Sequence, residues 1–455
     1  LGDQAFAGDG IRRGVRAAVV VPLLSRVAAP STDDFEALGR TGETRLAEAV
    51  GLALAIDLDV RHSEAFVLKQ PKPATLIGGG KVQDIKSAVA THEIELVIVD
   101  HPLTPVQQRN LEREINAKVI DRTGLILEIF GRRARTREGV LQVELAHLNY
   151  QKGRLVRSWT HLERQRGGGG GGSSFLGGPG ETQIETDRRL LQDKIDKLRR
   201  ELEKVRQTRN LHRSGRKKIP HPVVALVGYT NAGKSTLFNR MTGAEVLAED
   251  MLFATLDPTL RKLELPHGTP AILSDTVGFI SELPTHLVAA FRATLEEVTE
   301  ADLILHVRDI SSADTHAQAA DVRRILAELG LEDGVGRTPM IEVWNKIDML
   351  DEARRTALGL RAANNPAVMA VSATSGEGVD TLLDAIESAL GGVMQRRTIH
   401  VEAAGLAALP EIYGTARVMS RDDGDDGSVT LEAEAGGRAF DRIGRLNGVS
   451  LGHAG

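Results

Sequence analysis

One stretch constrains this chain more than any other: Val223 to Phe238, VVALVGYTNAGKSTLF, is an apolar run, a glycine-bounded loop and a segment able to start a helix. Gly228, Gly233, Lys234 and Ser235 fit the phosphate-cradling pattern GxxxxGKS in full, with Tyr229, Thr230, Asn231 and Ala232 completing the loop. The two glycines let the backbone wrap closely round an anion with its N–H groups turned inward. Lys234 is then expected to reach the outer phosphates, and Ser235 to place its hydroxyl on Mg²⁺. The helix behind them adds the partial positive charge of its N-terminus. Val223 to Val227 supplies the buried strand that such a loop requires, and Ser235 to Met241 contains no helix breaker.

At 455 residues the chain has room for about three or four units. With 62 acidic and 57 basic residues, bulk charge does not announce a nucleic-acid binder, so any such surface must be local. The absence of cysteine excludes disulfides, thiolate zinc sites and cysteine nucleophiles, and suits a reducing cytosol. No apolar run approaches the ~18 residues of a membrane helix. The start, LGDQAFAGDG, has neither a methionine nor a signal-peptide core, so a trimmed N-terminus is expected, with a cytoplasmic location, partial membrane association as its alternative, and no membrane insertion.

Residues 1–135 read as a small α/β domain. Val15 to Leu24 is apolar and extended, and Leu46, Val50, Ala53 and Leu54 mark a helical stripe. Strand and helix patterns then alternate through Glu64 to Leu68, Lys81 to Ala90, Glu95 to Val99, Pro105 to Ala117, Lys118 to Ile120 and Thr123 to Phe130, which argues for a largely parallel sheet. Gly78, Gly79, Gly80 and Lys81 read as a turn entering a helix, with an anion site at the helix start as the weaker alternative.

Residues 136–220 carry two matched seams. Leu141, Leu145, Leu148 and Leu155 form one, and Leu191, Ile195, Leu198, Leu202 and Val205 form the other. Each covers about two heptads, and the pair predicts an antiparallel helical hairpin whose second helix, from about Gln183 to Leu211, spans roughly 40 Å. The tip, Arg164 to Gly180, is RQRGGGGGGSSFLGGPG, too rich in glycine to pack. From Glu181 to Lys218 there are thirteen Lys or Arg against seven Asp or Glu, an imbalance that favours a polyanion. Arg164, Arg166 and Phe175 at the tip, with Arg188, Arg189, Arg206, Arg209 and Arg213 along the helix, are the candidate RNA contacts.

Residues 221–392 hold the nucleotide motifs. Asp275, Thr276, Val277 and Gly278 form a DxxG motif after a short apolar strand, Ala271 to Leu273. Asp275 would hold Mg²⁺ through water, and Gly278 would offer its N–H to a γ-phosphate. After the strands Leu303 to Val307 and Met340 to Val343 comes Asn345, Lys346, Ile347, Asp348. The Asp348 carboxylate can accept two hydrogen bonds from guanine, whereas adenine offers no donor at N1 and lacks the second amine, so guanine is selected. A further strand, Ala367 to Val371, leads to Ser372, Ala373 and Thr374, whose backbone would meet the base from its other side.

NKID and SAT, together with GxxxxGKS and DxxG, resemble a translation-factor-type GTPase. More narrowly, DMLFATLDPT, DTVGF, the loop GGPGETQIETDRR and the preceding α/β domain resemble the HflX family over most of the chain. That resemblance implies an enzyme that hydrolyses GTP, slowly unaided and faster on the ribosome. It implies a protein that binds the large ribosomal subunit and splits stalled or stressed ribosomes, with the glycine tip reaching the peptidyl-transferase region. Thr255 is similar to the family's Mg²⁺-binding switch threonine, with Thr259 as the alternative, and Phe253, Ala254, Leu256 and Asp257 would line the nucleotide beside it. Lys234, Thr255 and Gly278 are the implied catalytic groups. The expected architecture is α/β: a P-loop GTPase domain preceded by a small α/β domain and a helical hairpin, and followed by a small α+β domain at 396–455.

Phe279 stands where many GTPases carry a water-orienting glutamine, and a phenyl ring can neither donate nor accept that hydrogen bond. Asn231 is similar to the asparagine that coordinates K⁺ in cation-stimulated GTPases; satisfying loop N–H groups is the equal alternative, as is a ribosomal group supplied in trans. In the last domain a strand, a short helix, a strand pair around Arg421 to Gly427 and a final helix are expected. RDDGDDG there reads as a hairpin turn rather than a calcium loop. The histidines show no metal-ligand spacing, so Mg²⁺ is the expected metal, with K⁺ the second candidate, and the free protein is expected to be a monomer. The competing functions are a large-subunit assembly factor, a GTPase regulating a membrane or metabolic partner, and a noncatalytic nucleotide-binding scaffold.

Overall fold

The computed structural model describes residues 14–24, 41–166, 179–216, 221–244, 252–253, 258–266, 270–281, 295, 297–331, 338–390 and 395–454, with side chains left undescribed at 155–185, 187, 209–216, 438, 441 and 453–454. The expected α/β architecture is present, built on three sheets among those residues.

In the first sheet β1 (Arg16–Leu24), β2 (Asp59–Leu68), β3 (Leu96–Val99) and β4 (Lys118–Asp121) lie in the order β2-β1-β3-β4. All three pairings are parallel. The valines and alanines of β1 are buried on both faces, as a central parallel strand requires. One face packs on α2 (Gly79–Thr91) and α3 (Pro105–Ile115), whose start is fixed by a capping box between Thr104 and Gln107. The other carries α1 (Gly42–Leu54) and α4 (Arg122–Arg133), and here the apolar cluster does not stop at the domain edge. It runs from Leu52, Ile56 and Phe130 into Tyr229, Phe253, Val277 and Phe279. Gly78 is the N-cap of α2 and Gly79 and Gly80 open it, with Lys81 bonded to Glu64 at 2.5 Å.

The helical hairpin is α5 (Arg137–Arg166) and α6 (Pro179–Arg216). Leu141, Leu198 and Leu202 are buried between them, with Leu145, Leu148 and Val205 packed alongside. Both helices exceed the sequence expectation. α6 has 38 residues, about 57 Å of helix, because straight-chain charged residues extend it beyond the apolar seam. The expected irregular tip shrinks accordingly: Arg164 and Arg166 lie on α5 and Pro179 begins α6.

The second sheet has the order β10-β9-β8-β5-β7-β6. It contains β5 (Val223–Gly228), β6 (Thr259–Glu264), β7 (Pro270–Asp275), β8 (Leu303–Asp309), β9 (Met340–Asn345) and β10 (Val368–Ala370), with α7 (Lys234–Thr242), α8 (Thr315–Glu328), α9 (Glu352–Ala363) and α10 (Val379–Ala389). Only β6 is antiparallel, against β7; the sequence reading missed it, because the edge strand TLRKLE is mostly polar.

The last sheet is antiparallel in the order β12-β13-β11-β14, from β11 (Gln395–Val401), β12 (Arg417–Asp423), β13 (Val429–Ala435) and β14 (Val449–Ala454). α11 (Leu409–Thr415) and α12 (Gly437–Ile443) close over one face around Phe440. Gly424 N–H bonds Ser428 O at 2.9 Å, closing the predicted hairpin turn. The chain ends on β14 rather than on the expected helix.

Candidate nucleotide site

The site forms where β5, β7, β8 and β9 end together, at the carboxyl edge of the parallel sheet. β5 runs into Gly228, where an added Cβ would sit 2.2 Å from Val307 O, so no side chain fits between neighbouring strands. Gly233 takes φ 89°, and a Cβ there would lie 2.2 Å from Asn345 Nδ2. Between them Asn231 adopts a left-handed φ of 59° and is exposed at the lip of the loop.

Lys234, 6% exposed, begins α7 and folds back over the loop. Its Nζ donates to Gly228 O at 3.1 Å and Tyr229 O at 2.9 Å. Burial pulls its ammonium pKa down to about 8, opposed by the charge of Asp275. Ser235 Oγ donates to Asp275 Oδ2 at 2.7 Å, which brings two oxygens of the expected set together. Thr276 and Val277 turn away: the Thr276 hydroxyl donates to Leu226 O at 2.5 Å, and Val277 enters the apolar cluster. Gly278 lies against the loop, with room for no Cβ because Thr230 Cγ2 would be 2.9 Å away and Lys234 Nζ 3.2 Å. Thr230 N–H donates to Phe279 O at 2.7 Å and Phe279 N–H to Gly228 O at 3.1 Å, a two-bond bridge between the loop and the DxxG segment.

The far end is equally tied. Asn345, 1% exposed, donates to Ala232 O at 2.8 Å and accepts from Ala373 N–H at 3.0 Å. Lys346 is left-handed, φ 67°, and its Nζ bonds Asp309 Oδ2 at 2.8 Å. Asp348 is exposed on the short turn after it, and Ser372 is fully buried. Gly228 to Ser235, Asp275 to Gly278, Asn345 to Asp348 and Ser372 to Thr374 thus ring one edge of the sheet.

Four consecutive stretches of the chain match family models: 43–131 the GTP-binding GTPase N-terminal family, 133–216 the GTP-binding GTPase Middle Region, 223–346 the 50S ribosome-binding GTPase family, and 357–451 the HflX C-terminal domain. The chain is 50% identical over 381 residues to GTPase HflX of Magnetococcus marinus, covering 84% of this chain and 86% of the relative. The chain belongs to the HflX family of GTPases. It is also 45% identical to GTPase HflX of Escherichia coli, over 80% of this chain and 83% of that one. Among solved structures, a GTP-binding protein of Sulfolobus solfataricus in complex with GDP is similar at 24% identity and a TM-score of 0.43, covering 83% of this chain and 98% of that one. Membership makes the chain a GTP-hydrolysing enzyme.

The Phe253 ring is 2% exposed and packs edge-on against Phe130 of α4, centroids 4.8 Å apart. Arg206 pairs with Glu138 across the hairpin at 3.8 Å. Arg188 and Arg189 are exposed. Ala254, Thr255, Leu256, Asp257 and Phe175 lie outside the described residues, as do the side chains of Arg164, Arg166, Arg209 and Arg213.

Sequence reasoning missed the groups that brace the site from a distance. Tyr229 Oη donates to Glu48 of α1 and accepts from Ser281 N–H at 2.8 Å. Ser281 Oγ bonds Glu48 at 2.8 Å, and Arg122 of α4 bonds Glu48, Asp100 and the Ser281 carbonyl. Partners separated by 181 residues leave no local signal. Asp309 was equally silent, although its place at the end of a strand beside β9 could have suggested it.

Proposed function

We propose that this GTPase is a nucleotide-driven switch that binds the large ribosomal subunit and dissociates stalled or stressed ribosomes. The observation that carries the reading is the match of residues 223–346 to the 50S ribosome-binding GTPase family, in a chain that also bears a long, basic hairpin. On this reading the hairpin tip reaches towards the peptidyl-transferase region, and Arg188 and Arg189 contact RNA backbone.

Within the site, Lys234 places its charge on the β and γ phosphates, and Gly278 gives its N–H to the γ-phosphate. Asp348 accepts from the guanine N1–H and amine, while Lys346 and the Ser372 to Thr374 segment flank the base. Mg²⁺ fits the donor set: one hydroxyl and one carboxylate converge 2.7 Å apart, and no group of three or more His, Cys, Asp or Glu able to hold a metal occurs among the described residues. Such a site suits an ion that takes its other ligands from water and phosphate. Ser235, Asp275 and a switch threonine, Thr255, would hold it; bound there, it offsets the phosphate charge. Asn231 is the side chain that would face K⁺.

When γ-phosphate is lost, the segments around Thr255 and Gly278 loosen and the protein leaves the subunit. Sucrose-gradient sedimentation of ribosomes with the protein and a nonhydrolysable GTP analogue tests this. Conversion of intact ribosomes to subunits supports it. Binding only to immature large subunits would instead favour an assembly role, and recruitment to anionic vesicles without ribosome binding would contradict it.

A further inference from the structure

α7 carries the phosphate-binding end of the site at its first residue, Lys234, and ends its last turn with Arg240. The guanidinium of Arg240 reaches across to the Ser372 segment, donating through Nε to Ala373 O at 3.1 Å and through Nη2 to Thr374 O. It also lies against Gly376, where an added Cβ would sit 3.6 Å from Arg240 Cζ and where φ is +92°. The segment is a tight turn, closed by Gly376 N–H to Ser372 O at 2.8 Å and Ser375 N–H to Ser372 Oγ at 3.0 Å. Two rigid elements therefore meet through one planar fork whose donors fit consecutive carbonyls, a fixed geometry that the point charge of a lysine ammonium on its flexible stem does not reproduce.

The same segment is held from its other side by Asn345, which accepts from Ala373 N–H and donates to Ala232 O in the phosphate loop. Six residues, about 9 Å of helix, separate Lys234 from Arg240. Phosphate loop, α7, Arg240, Ser372 segment and Asn345 form a closed ring of bonds. We infer that Arg240 is a specificity-positioning residue: it fixes the distance between the phosphate and base ends of the site, so that the Ser372 to Thr374 backbone meets guanine in register with Asp348. This deepens the guanine reading given above and rests on it.

Arg240 sits in the last turn of α7, at the opposite end from Lys234, and its donors go to the Ser372 segment, so its removal should act on base discrimination rather than on phosphate binding. The test compares equilibrium binding of Mg–GDP, Mg–ADP and Mg–XDP to the full chain for wild type, Arg240→Met, Arg240→Lys and Asp348→Asn. Arg240→Met is expected to weaken GDP binding about tenfold while leaving ADP within twofold, so that the ADP/GDP ratio collapses; Arg240→Lys recovers part of the loss. Equal weakening of GDP and ADP, or an unchanged ratio in an Arg240→Met protein with wild-type circular dichroism, overturns the inference. Asp348→Asn separates the two levels: exchange of GDP preference for XDP supports the base reading, and no exchange overturns that reading itself.

Discussion

Tyr229, the second residue of the phosphate loop, donates its phenolic hydrogen to Glu48 on the first helix of the N-terminal domain, so the nucleotide site and that domain share one carboxylate. Glu48 is 15% exposed, and its partner Arg122 is 3% exposed with Asp100 on its other side. Pairing with the two carboxylates holds Arg122 charged despite its burial. Removing one member of a buried ion pair costs more than the pair contributes, because the survivor remains desolvated. Glu48→Ala is therefore expected to lose about 3 kcal/mol of stability in urea denaturation, and Tyr229→Phe about 1 kcal/mol. A Glu48→Ala protein within about 0.5 kcal/mol of wild type would show that the junction is not cooperative with folding.

Phe279 is 1% exposed in the apolar cluster shared by the two domains, with its backbone bridged to the phosphate loop. Its side chain is packed in that cluster, out of reach of solvent. Phe279→Gln should therefore not accelerate unaided GTP hydrolysis, and should lower the thermal midpoint by burying an amide in an apolar site. Single-turnover hydrolysis with a melting curve reads both, and a faster variant would refute this orientation.

Gly233→Ala meets two obstacles at once, a φ of 89° and a Cβ 2.2 Å from Asn345 Nδ2. Either the loop or Asn345 must move, and Asn345 links the loop to the Ser372 segment. GDP affinity measured by fluorescence titration should fall more than about tenfold. Wild-type affinity would show that the loop relaxes at no cost.

His306 on β8 is buried, and neither ring nitrogen has a hydrogen-bond partner among the described residues. Burial pulls its pKa to about 4; Glu342 opposes this, while Arg308, Arg323 and Lys234 reinforce it. The unfolded chain thus binds more protons than the folded one between about pH 4 and 6.5. Stability from this group is complete above about pH 6.5 and lost as pH falls towards 4, by on the order of 3 kcal/mol. His306→Leu should flatten that part of the stability–pH curve without lowering stability at pH 7.5, since an unsatisfied polar ring is exchanged for an apolar side chain. An unchanged slope in the variant would contradict the assignment.

The parts of this molecule that could be read in the sequence are those whose signal is local. The GxxxxGKS loop needs its glycines where they stand, the β1 run needs burial on both faces, and the leucine seams of the hairpin repeat at helical spacing. The packing of the Phe253 ring on Phe130 left no local signal, because the two are distant in sequence. Glu48, Arg122, Arg240 and Asp309 act through partners that only the tertiary fold brings near. β6 and β14 escaped notice for a simpler reason: strands at a sheet edge need not alternate apolar and polar residues cleanly.

The central claim is that hydrolysis is coupled to the large ribosomal subunit, and single-turnover GTP hydrolysis with and without purified large subunits, each in K⁺ and in Na⁺, tests it most directly. The account predicts slow hydrolysis by the free protein and acceleration of at least about tenfold by the subunit, with a further dependence on K⁺ if Asn231 faces that cation. Equal rates with and without the subunit in both salts would contradict it.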